Sequence, residues 1–283
     1  MTSALPLVVT GAVLLSALAH AGWNAIAHAI EDKLTGFVLL GLGAAACAVV
    51  VLLVAPAPAR ASWPFLAGSA ATHVVYNVLL MTAYRLGDFG QVYPLARGTS
   101  PLVVTLLAAV FVAEVPTPWA LAGIVVVSTG LATLAFLGGG GRAGRPALVA
   151  AVATGLVIAG YTTVDGIGVR LSGSPAGYAG WLMFLNSLAV PAYAAARWRA
   201  SLLERLRPHL WRGLAGGVLS VGAYALVLWA QTRGALGAVA ALRESSVVVG
   251  AVIGTVVFRE RFGSARIVGS VLVATGIVLL AVG

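Results

Sequence analysis

The sequence predicts an all-α integral membrane protein with ten transmembrane helices arranged as two inverted five-helix repeats. Three observations lead to this fold class: an apolar composition, ten apolar segments of membrane-spanning length, and an internal duplication. Hydrophobic residues make up 60% of the chain and charged residues 9%, with a mean hydropathy of +1.02. An ordinary soluble domain would have about a quarter of its residues charged, so the composition excludes that class.

The ten segments each have about the 20 apolar residues that a helix needs to cross the hydrocarbon core. The connectors between them are short and rich in Pro, Gly and Arg, which leaves no room for a soluble domain. We expect the first segment to be a span and not a cleaved signal, because its apolar run continues past Trp23 without a basic region before it. The predicted segments are 5–30, 35–55, 64–86, 89–112, 118–137, 146–170, 176–196, 212–233, 235–258 and 264–282.

A duplication with an offset of 146 residues relates the two halves of the chain. Residues 242–246, Leu-Arg-Glu-Ser-Ser, align with residues 96–100, Ala-Arg-Gly-Thr-Ser. The repeats are predicted at 1–138 and 146–283, with five spans each. Because five is odd, the second repeat is expected to be inverted about an axis in the membrane plane, an architecture found in many secondary transporters. At the same offset Glu114 aligns with Glu260, Gly123 with Gly269, and Gly130 with Gly276.

Basic residues are distributed unequally between the connectors. The odd-numbered connectors hold twelve Lys and Arg residues and the even-numbered ones hold three. The positive-inside rule therefore predicts that both termini lie outside the cytoplasm. The formal charge of +9 forms no continuous stripe, so nucleic acid is not an expected partner. Cys47 is the one cysteine, which excludes an intrachain disulfide and a cysteine metal site.

Polar residues recur at one-turn spacing within several predicted spans. His20, Asn24 and His28 share one face of the first segment. Two interpretations remain open, packing by hydrogen bonds between helices and the lining of a polar cavity; packing is favoured for His28 and lining for the deeper pair. The same pattern recurs in the third segment with His73, Tyr76, Asn77 and Tyr84, in the sixth with Tyr161 and Asp165, and in the eighth with Tyr224.

Four ionisable residues lie away from the predicted helix ends: Arg97, Asp165, Arg243 and Glu244. Each costs about 2.5–3.5 kcal/mol at the bilayer centre, so they should pair, face water, or both. One hypothesis is a set of salt bridges that locks the helices. The other is that the arginines bind an anionic substrate group while Asp165 or Glu244 takes up a proton or pairs with an ammonium group. Glu114 and Glu260 lie near segment ends and are expected to be solvated.

Proline and glycine residues mark the fourth segment. Pro94 and Pro101 remove backbone donors beside Arg97 and predict a bend, which can be a hinge or a fixed curve. Gly98 would allow another helix to approach closely. The sequence contains no metalloprotease, nucleophile-elbow or phosphate-loop motif, so we expect neither an enzyme nor a metal or cofactor site.

These residues resemble the EamA family of the drug/metabolite transporter superfamily. The likeness rests on residues 93–101, Tyr-Pro-Leu-Ala-Arg-Gly-Thr-Ser-Pro, on 242–246, on the Glu after segments four and nine, and on 20–24, His-Ala-Gly-Trp-Asn. It covers essentially the whole chain and implies alternating access around a central cavity. The cavity lining it implies is His20, Asn24, His73, Tyr76, Asn77, Tyr93, Arg97, Tyr161, Asp165, Tyr224, Arg243 and Glu244.

The expected function is secondary transport of a small polar metabolite, an amino acid or a related anionic or zwitterionic compound, across the inner membrane. The resemblance implies export or exchange coupled to protons or to a counter-substrate. An uncoupled facilitator and a non-transporting membrane scaffold are the alternatives. The expected partners are the lipid bilayer and a small molecule, and both a monomer and a homodimer are open. Many members of the family have cytoplasmic termini, which disagrees with the charge count.

Overall fold

The computed structural model describes residues 5–87, 89–137, 144–256 and 263–282, and almost all of these lie in helices. Within these ranges nine helices have 19 or more residues, two shorter helices come from the division of one long segment, and a five-residue helix connects two of the long ones. The bounds are α1 Leu7–His28, α2 Lys33–Val54, α3 Trp63–Leu86, α4 Phe89–Phe111, α5 Pro118–Leu137, α6 Arg145–Leu171, α7 Pro175–Trp198, α8 Leu202–Leu206, α9 Leu210–Gln231, α10 Leu236–Arg243, α11 Ser245–Val256 and α12 Ser264–Val282.

Nine of the ten predicted segments coincide with a helix to within two residues at each end. Over the described ranges, nine stretches are long and apolar enough to cross a membrane. One of these, Pro175–Gln231, is 57 residues long and contains α7, α8 and α9. Large apolar side chains are exposed around the bundle, such as Leu7, Trp119 and Val282, as expected for a surface that faces lipid.

The ninth segment differs from the prediction. We expected one continuous helix over 235–258, but the structure interrupts it at Glu244, between α10 and α11. Around Glu244 the hydrogen bonds span three residues instead of four, from the Glu244 amide to Ala241 O (3.1 Å) and from the Val247 amide to Glu244 O (3.0 Å). The interruption places a helix C-terminus and a helix N-terminus beside a buried charge pair, described below.

Local sequence signals account for where several helices begin. The Asp32 carboxylate accepts hydrogen bonds from the Leu34 amide (3.1 Å) and the Thr35 hydroxyl (2.6 Å) at the start of α2. Ser174 accepts one from the Gly177 amide (3.1 Å) at the start of α7. Prolines occupy the first turn of α3, α6 and α7, where a missing amide hydrogen removes no helical bond.

The helix contacts pair the two halves of the chain. Helix α5 packs on α12, α2 on α7, α3 on α6 and α1 on α9. Helix α4 contacts α5, α6 and α10, while α1 also contacts α11. The five spans of the second half can be matched in order with α1 to α5, so that α1 pairs with α6 and α3 with α9. The α3–α6 contact then corresponds to the α9–α1 contact. The α4–α6 contact likewise corresponds to that between α11 and α1.

The α5–α12 contact repeats itself at residue level. A Cβ atom built on Gly123 would lie 2.8 Å from Gly276 O, and one on Gly130 would lie 2.8 Å from Gly269 O. The pairing of an early glycine with a late one means that the two helices run antiparallel. Leu280 packs against Gly123 and Leu134 against Gly269, so residues 146 positions apart make the same contact from both sides.

Candidate functional site

Three charged side chains meet where α4 crosses the interruption between α10 and α11. Arg97 Nε lies 2.7 Å from Glu244 Oε2, and Arg243 Nε lies 4.0 Å from Glu244 Oε1. Glu244 is fully buried and the two arginine side chains are 6% exposed. Two guanidinium groups against one carboxylate give the cluster a net charge of +1. The two arginines that occupy equivalent repeat positions therefore share one anion.

Hydrogen-bonding capacity remains at this cluster. Arg97 Nη2 is buried and has no hydrogen-bond partner among the described residues, and the same is true of the Ser245 and Ser246 hydroxyls that follow Glu244. Ser100, one turn after Arg97, is also buried without a partner within the described ranges. Buried polar groups are normally satisfied, and these unpaired donors are suited to an acceptor-rich group.

Close helix packing fixes the position of Arg97. A Cβ atom on Gly155 of α6 would lie 2.6 Å from Ala96 O and 2.8 Å from Thr99 Cβ, so α6 lies directly against α4 on both sides of Arg97. Gly98 faces α5, where a Cβ atom would lie 2.9 Å from Leu131 Cβ. Neither neighbouring helix leaves space for a larger residue. The guanidinium is thus held on a short, tightly packed stretch of helix.

Aromatic rings connect the charge cluster to a second polar group. The Arg243 side chain hydrogen-bonds Tyr161. The Tyr161 ring stacks on His73 with a centroid distance of 4.0 Å, and Tyr76 meets Tyr161 edge-on at 5.7 Å. His73 in turn approaches the Tyr224 ring at 6.2 Å. The result is a continuous polar and aromatic surface contributed by α3, α6, α9 and α10.

Asp165 lies at the other end of this surface, fully buried and surrounded by hydroxyl groups. Tyr178 donates a hydrogen bond to Asp165 Oδ1 (3.1 Å) and Tyr224 donates one to Oδ2 (2.5 Å). The Ser69 hydroxyl also lies within hydrogen-bonding reach of the carboxylate. Gly168, one turn after Asp165 on α6, makes room for the Tyr178 ring. This carboxylate is held by neutral partners, in contrast to Glu244.

The polar residues of α1 form local contacts. Trp23 Nε1 donates to His20 Nδ1 (3.2 Å), and the Asn24 amide donates to His20 O (2.8 Å). His20 is close enough to Arg97 and Arg243 to interact with them electrostatically. The His20 ring therefore borders the charge cluster, while its hydrogen-bond partner lies on its own helix.

The remaining predicted residues take several positions. Asn77 is half-buried on α3, and the Arg97 guanidinium lies 6.0 Å from the centre of the Tyr93 ring. Pro94 and Pro101 both lie within α4, which remains helical from Phe89 to Phe111. Their role as a hinge stays a prediction. The side chains of His28 and Tyr84, together with residue Glu260, lie outside the described part of the structure.

An ion pair at one end of the bundle was not anticipated. Glu114, which we expected to be solvated, has a side chain only 16% exposed, and its Oε1 lies 2.6 Å from Arg170 Nη1. Glu114 Oε2 also accepts a hydrogen bond from the Leu236 amide (2.8 Å). Arg170 donates to Gln231 O (2.7 Å) and Gly234 O (2.9 Å). This Arg170 clamp joins the ends of α4, α6 and α9 to the start of α10.

Two functional candidates thus escaped the sequence analysis, Tyr178 and the Arg170 clamp. Tyr178 is one of two tyrosines in its apolar segment, and the signal for it was the glycine one turn after Asp165. Glu114 and Arg170 stand at segment ends, where a charge usually meets water. Over the residues that the structure describes, no group of three metal-ligating side chains comes together.

Comparisons with known proteins concern the family and the fold. The model of the EamA-like transporter family matches residues 145–282. No curated protein matches the sequence. Among solved structures, one crystal structure of a protein is similar to this chain, with a TM-score of 0.70 and 16% sequence identity. The match covers 96% of this chain and 94% of that one. The likeness at this identity concerns the fold alone.

Proposed function

Because residues 145–282 match the model of the EamA-like transporter family, we propose that this multi-pass membrane protein is a secondary active transporter for a small metabolite with an anionic group. The metabolite class is an amino acid or a related anionic or zwitterionic compound. Transport proceeds by alternating access across the inner membrane, as proton-coupled export or exchange. The sequence motifs expected of an enzyme are missing, and family membership favours transport over catalysis.

The observation that carries this proposal is the net positive cluster of Arg97, Arg243 and Glu244. Guanidinium groups bind carboxylates through a planar fork of donors, and Arg97 Nη2 is a buried donor with no partner among the described residues. A substrate carboxylate would neutralise the cluster and satisfy this donor. The aromatic surface formed by Tyr161 and His73 then supplies a face for the rest of a small molecule.

Asp165 is the better of the two candidate proton carriers. Its hydrogen-bond partners are tyrosine hydroxyls, which can donate to a carboxylate and can also accept from a carboxylic acid. The site therefore accommodates both protonation states without losing its partners. Glu244 is instead bracketed by two permanently charged arginines, which suit it to organising the substrate site.

Two features support ten spans and an inverted repeat. The 57-residue stretch Pro175–Gln231 contains α7 and α9, each longer than the 20 residues that one span requires. The α5–α12 contact is made by residues 146 positions apart from both sides, as a two-fold axis in the membrane plane would produce. We assign residues 1–138 and 146–283 to the two repeats on this basis.

The Arg170 clamp is the proposed closed gate of the alternating-access cycle. It ties four helix ends together at one end of the bundle, so that end cannot open without breaking the Arg170–Glu114 ion pair. Glu114→Gln removes the charge and keeps the size of the side chain. We expect this variant to increase the labelling, from that side of the membrane, of a cysteine introduced into the pathway. Unchanged labelling of that cysteine would argue against a gate there.

The experiment that tests the function is transport of a metabolite panel in proteoliposomes, with and without an imposed proton gradient. Gradient-driven accumulation of one carboxylate-bearing compound is the expected result. Downhill flux that ignores the gradient would replace the proposal with an uncoupled facilitator. An absence of flux from folded protein, across a panel that includes amino acids and organic anions, would favour a membrane scaffold.

Variants then assign the roles of the charged groups. We expect Arg97→Ala to abolish binding of the carboxylate substrate, and Arg97→Lys to retain weak binding because one charge remains without the planar fork. Arg60→Ala removes an exposed arginine and serves as the control. Asp165→Asn should allow substrate exchange but remove accumulation driven by the proton gradient. Full transport by folded Arg97→Ala would refute the arginine site.

A further inference from the structure

A cluster of arginines lies at one end of the bundle, in the stretch from the last turn of α7 through α8 to the first turn of α9, which we call the connector. Residues 197–212 contain five arginines and one glutamate, Glu204, and all six side chains are exposed. None of these arginines takes part in the candidate transport site. The connector therefore presents a net positive surface, with the members Arg197, Arg199, Arg205, Arg207 and Arg212.

A cavity of about 620 Å³ opens within this surface, between the connector and the start of α2. The one acidic group among its lining residues is Asp32, whose carboxylate accepts hydrogen bonds from the Leu34 amide and the Thr35 hydroxyl. Asp32 also interacts electrostatically with Arg205, while Arg197 adds a second positive charge to the cavity. The Arg205 guanidinium lies 5.2 Å from the centre of the Trp198 ring, which orients it at the cavity. The cavity is lined by Asp32, Leu34, Arg197, Trp198, Ser201 and Arg205.

Apolar side chains next to the arginines indicate contact with lipid. Leu206 of α8 is buried in a cluster that includes Val38 and Ala194, so the connector is anchored on α2 and α7. Leu203 and Trp211 point the other way and are 77% and 83% exposed. Since α7 ends and α9 begins at this connector, these side chains lie at the boundary of the spanning region, where tryptophan is favoured.

We propose that this connector binds the phosphate of an anionic phospholipid through Arg197 and Arg205. Guanidinium groups match phosphate oxygens in charge and geometry, and Ser201 adds a hydroxyl donor inside the cavity. Leu203 and Trp211 contact the acyl chains of the same leaflet. Basic pockets at the ends of transmembrane helices are suited to such head groups. The surface holds the protein in a leaflet rich in anionic lipid and is separate from the substrate site.

The test measures binding of phosphatidylglycerol and phosphatidylcholine to the purified full-length protein, by native mass spectrometry and by the shift in the unfolding midpoint. We expect phosphatidylglycerol to bind and stabilise selectively. The double variant R197Q/R205Q should bind it about 30-fold more weakly, since each arginine near an anionic surface contributes roughly a fivefold factor. Inorganic phosphate at the same concentration should not stabilise, because it lacks the acyl chains.

The matched control is Arg233→Gln. Arg233 is also exposed and lies over a tryptophan, 4.3 Å from the centre of the Trp229 ring, but it stands outside the arginine cluster. It should leave phosphatidylglycerol binding unchanged. If R197Q/R205Q fails to fold, R197K/R205K, which keeps the charges, tests the planar fork and should weaken binding less. Equal binding of both lipids to the unmodified protein, unchanged phosphatidylglycerol binding by either double variant, or stabilisation by inorganic phosphate alone would overturn the proposal.

Discussion

Alanine substitutions in the α5–α12 contact test whether the two halves pack as an inverted pair. A Cβ atom on Gly130 would lie 2.8 Å from Gly269 O and 2.9 Å from Val273 Cγ2, while ordinary contacts begin at 3.4 Å. The obstructing oxygen belongs to a helix backbone and cannot rotate away. The helices would have to separate by about half an ångström, and such overpacking costs about 1–3 kcal/mol.

The substitution also has a favourable part, because alanine is better than glycine within a helix by about 1 kcal/mol. Gly222→Ala on α9 isolates that part, since no atom lies within 4 Å of the added methyl group. We expect Gly130→Ala to be less stable than Gly222→Ala by about 1–3 kcal/mol. Gly276→Ala, at the equivalent position of the second repeat, should have a similar cost because its added methyl group would lie 2.7 Å from Gly123 O.

The assay is reversible unfolding in mixed micelles with increasing sodium dodecyl sulfate, which gives a free energy of unfolding for each variant. The inverted pair predicts matching values within each equivalent couple, Gly130 with Gly276 and Gly123 with Gly269. If Gly130→Ala is as stable as Gly222→Ala, the helices do not touch as described. If only one member of each couple is sensitive, the two-fold relationship is wrong.

Two further predictions concern single contacts. Gly168→Ala would place a methyl group against the Tyr178 hydroxyl and 2.8 Å from Tyr178 Cε2, so we expect a loss of about 1–3 kcal/mol and reduced proton-driven accumulation. Gly160→Ala on the same helix adds a methyl group with no atom within 4 Å, so this variant should retain both its stability and proton-driven accumulation. Asp32→Ala removes a helix cap and should cost about 0.5–2 kcal/mol at neutral pH. The hydrogen bond from the Thr35 hydroxyl lowers the pKa of Asp32 below its ordinary 3.8. The stabilisation by the ionised Asp32 cap is therefore complete above pH 3.8 and is lost as the pH falls through the folded-state pKa. A stability difference between wild type and Asp32→Ala that grows on acidification would contradict this.

The sequence predicts the helices well because membrane spans follow a strong physical constraint. An apolar run of spanning length bounded by Pro, Gly or Arg has few alternatives, and α5 begins at Pro118 and ends at Leu137 as expected. The same constraint predicts that buried charges find partners, as Arg97 does. The sequence did not predict which carboxylate pairs with Arg97, because Asp165 and Glu244 both lie at a suitable depth in their segments.

The features that escaped prediction depend on contacts between distant segments. The interruption at Glu244 has no proline or glycine at that residue, and the apolar run on both sides is typical of an uninterrupted helix. The Arg170 clamp depends on side chains at the ends of two helices that contact backbone groups after a third helix, such as the carbonyl oxygen of Gly234. Segment periodicity holds no information on such reach, because it describes one helix at a time.

The glycine contact between α5 and α12 has the symmetry of an isologous dimer interface, in which each partner offers the same patch to the other. Gly123, Gly130 and Leu134 on one side meet Gly269, Gly276 and Leu280 on the other. Such an interface does not require one polypeptide, since two copies of a five-helix chain inserted in opposite orientations would form it equally well. If the halves form an inverted pair, as we propose, their fusion fixes their stoichiometry and opposite orientation. It also frees each half to specialise, since Glu244 and Asp165 have no acidic counterpart in the first half of the chain.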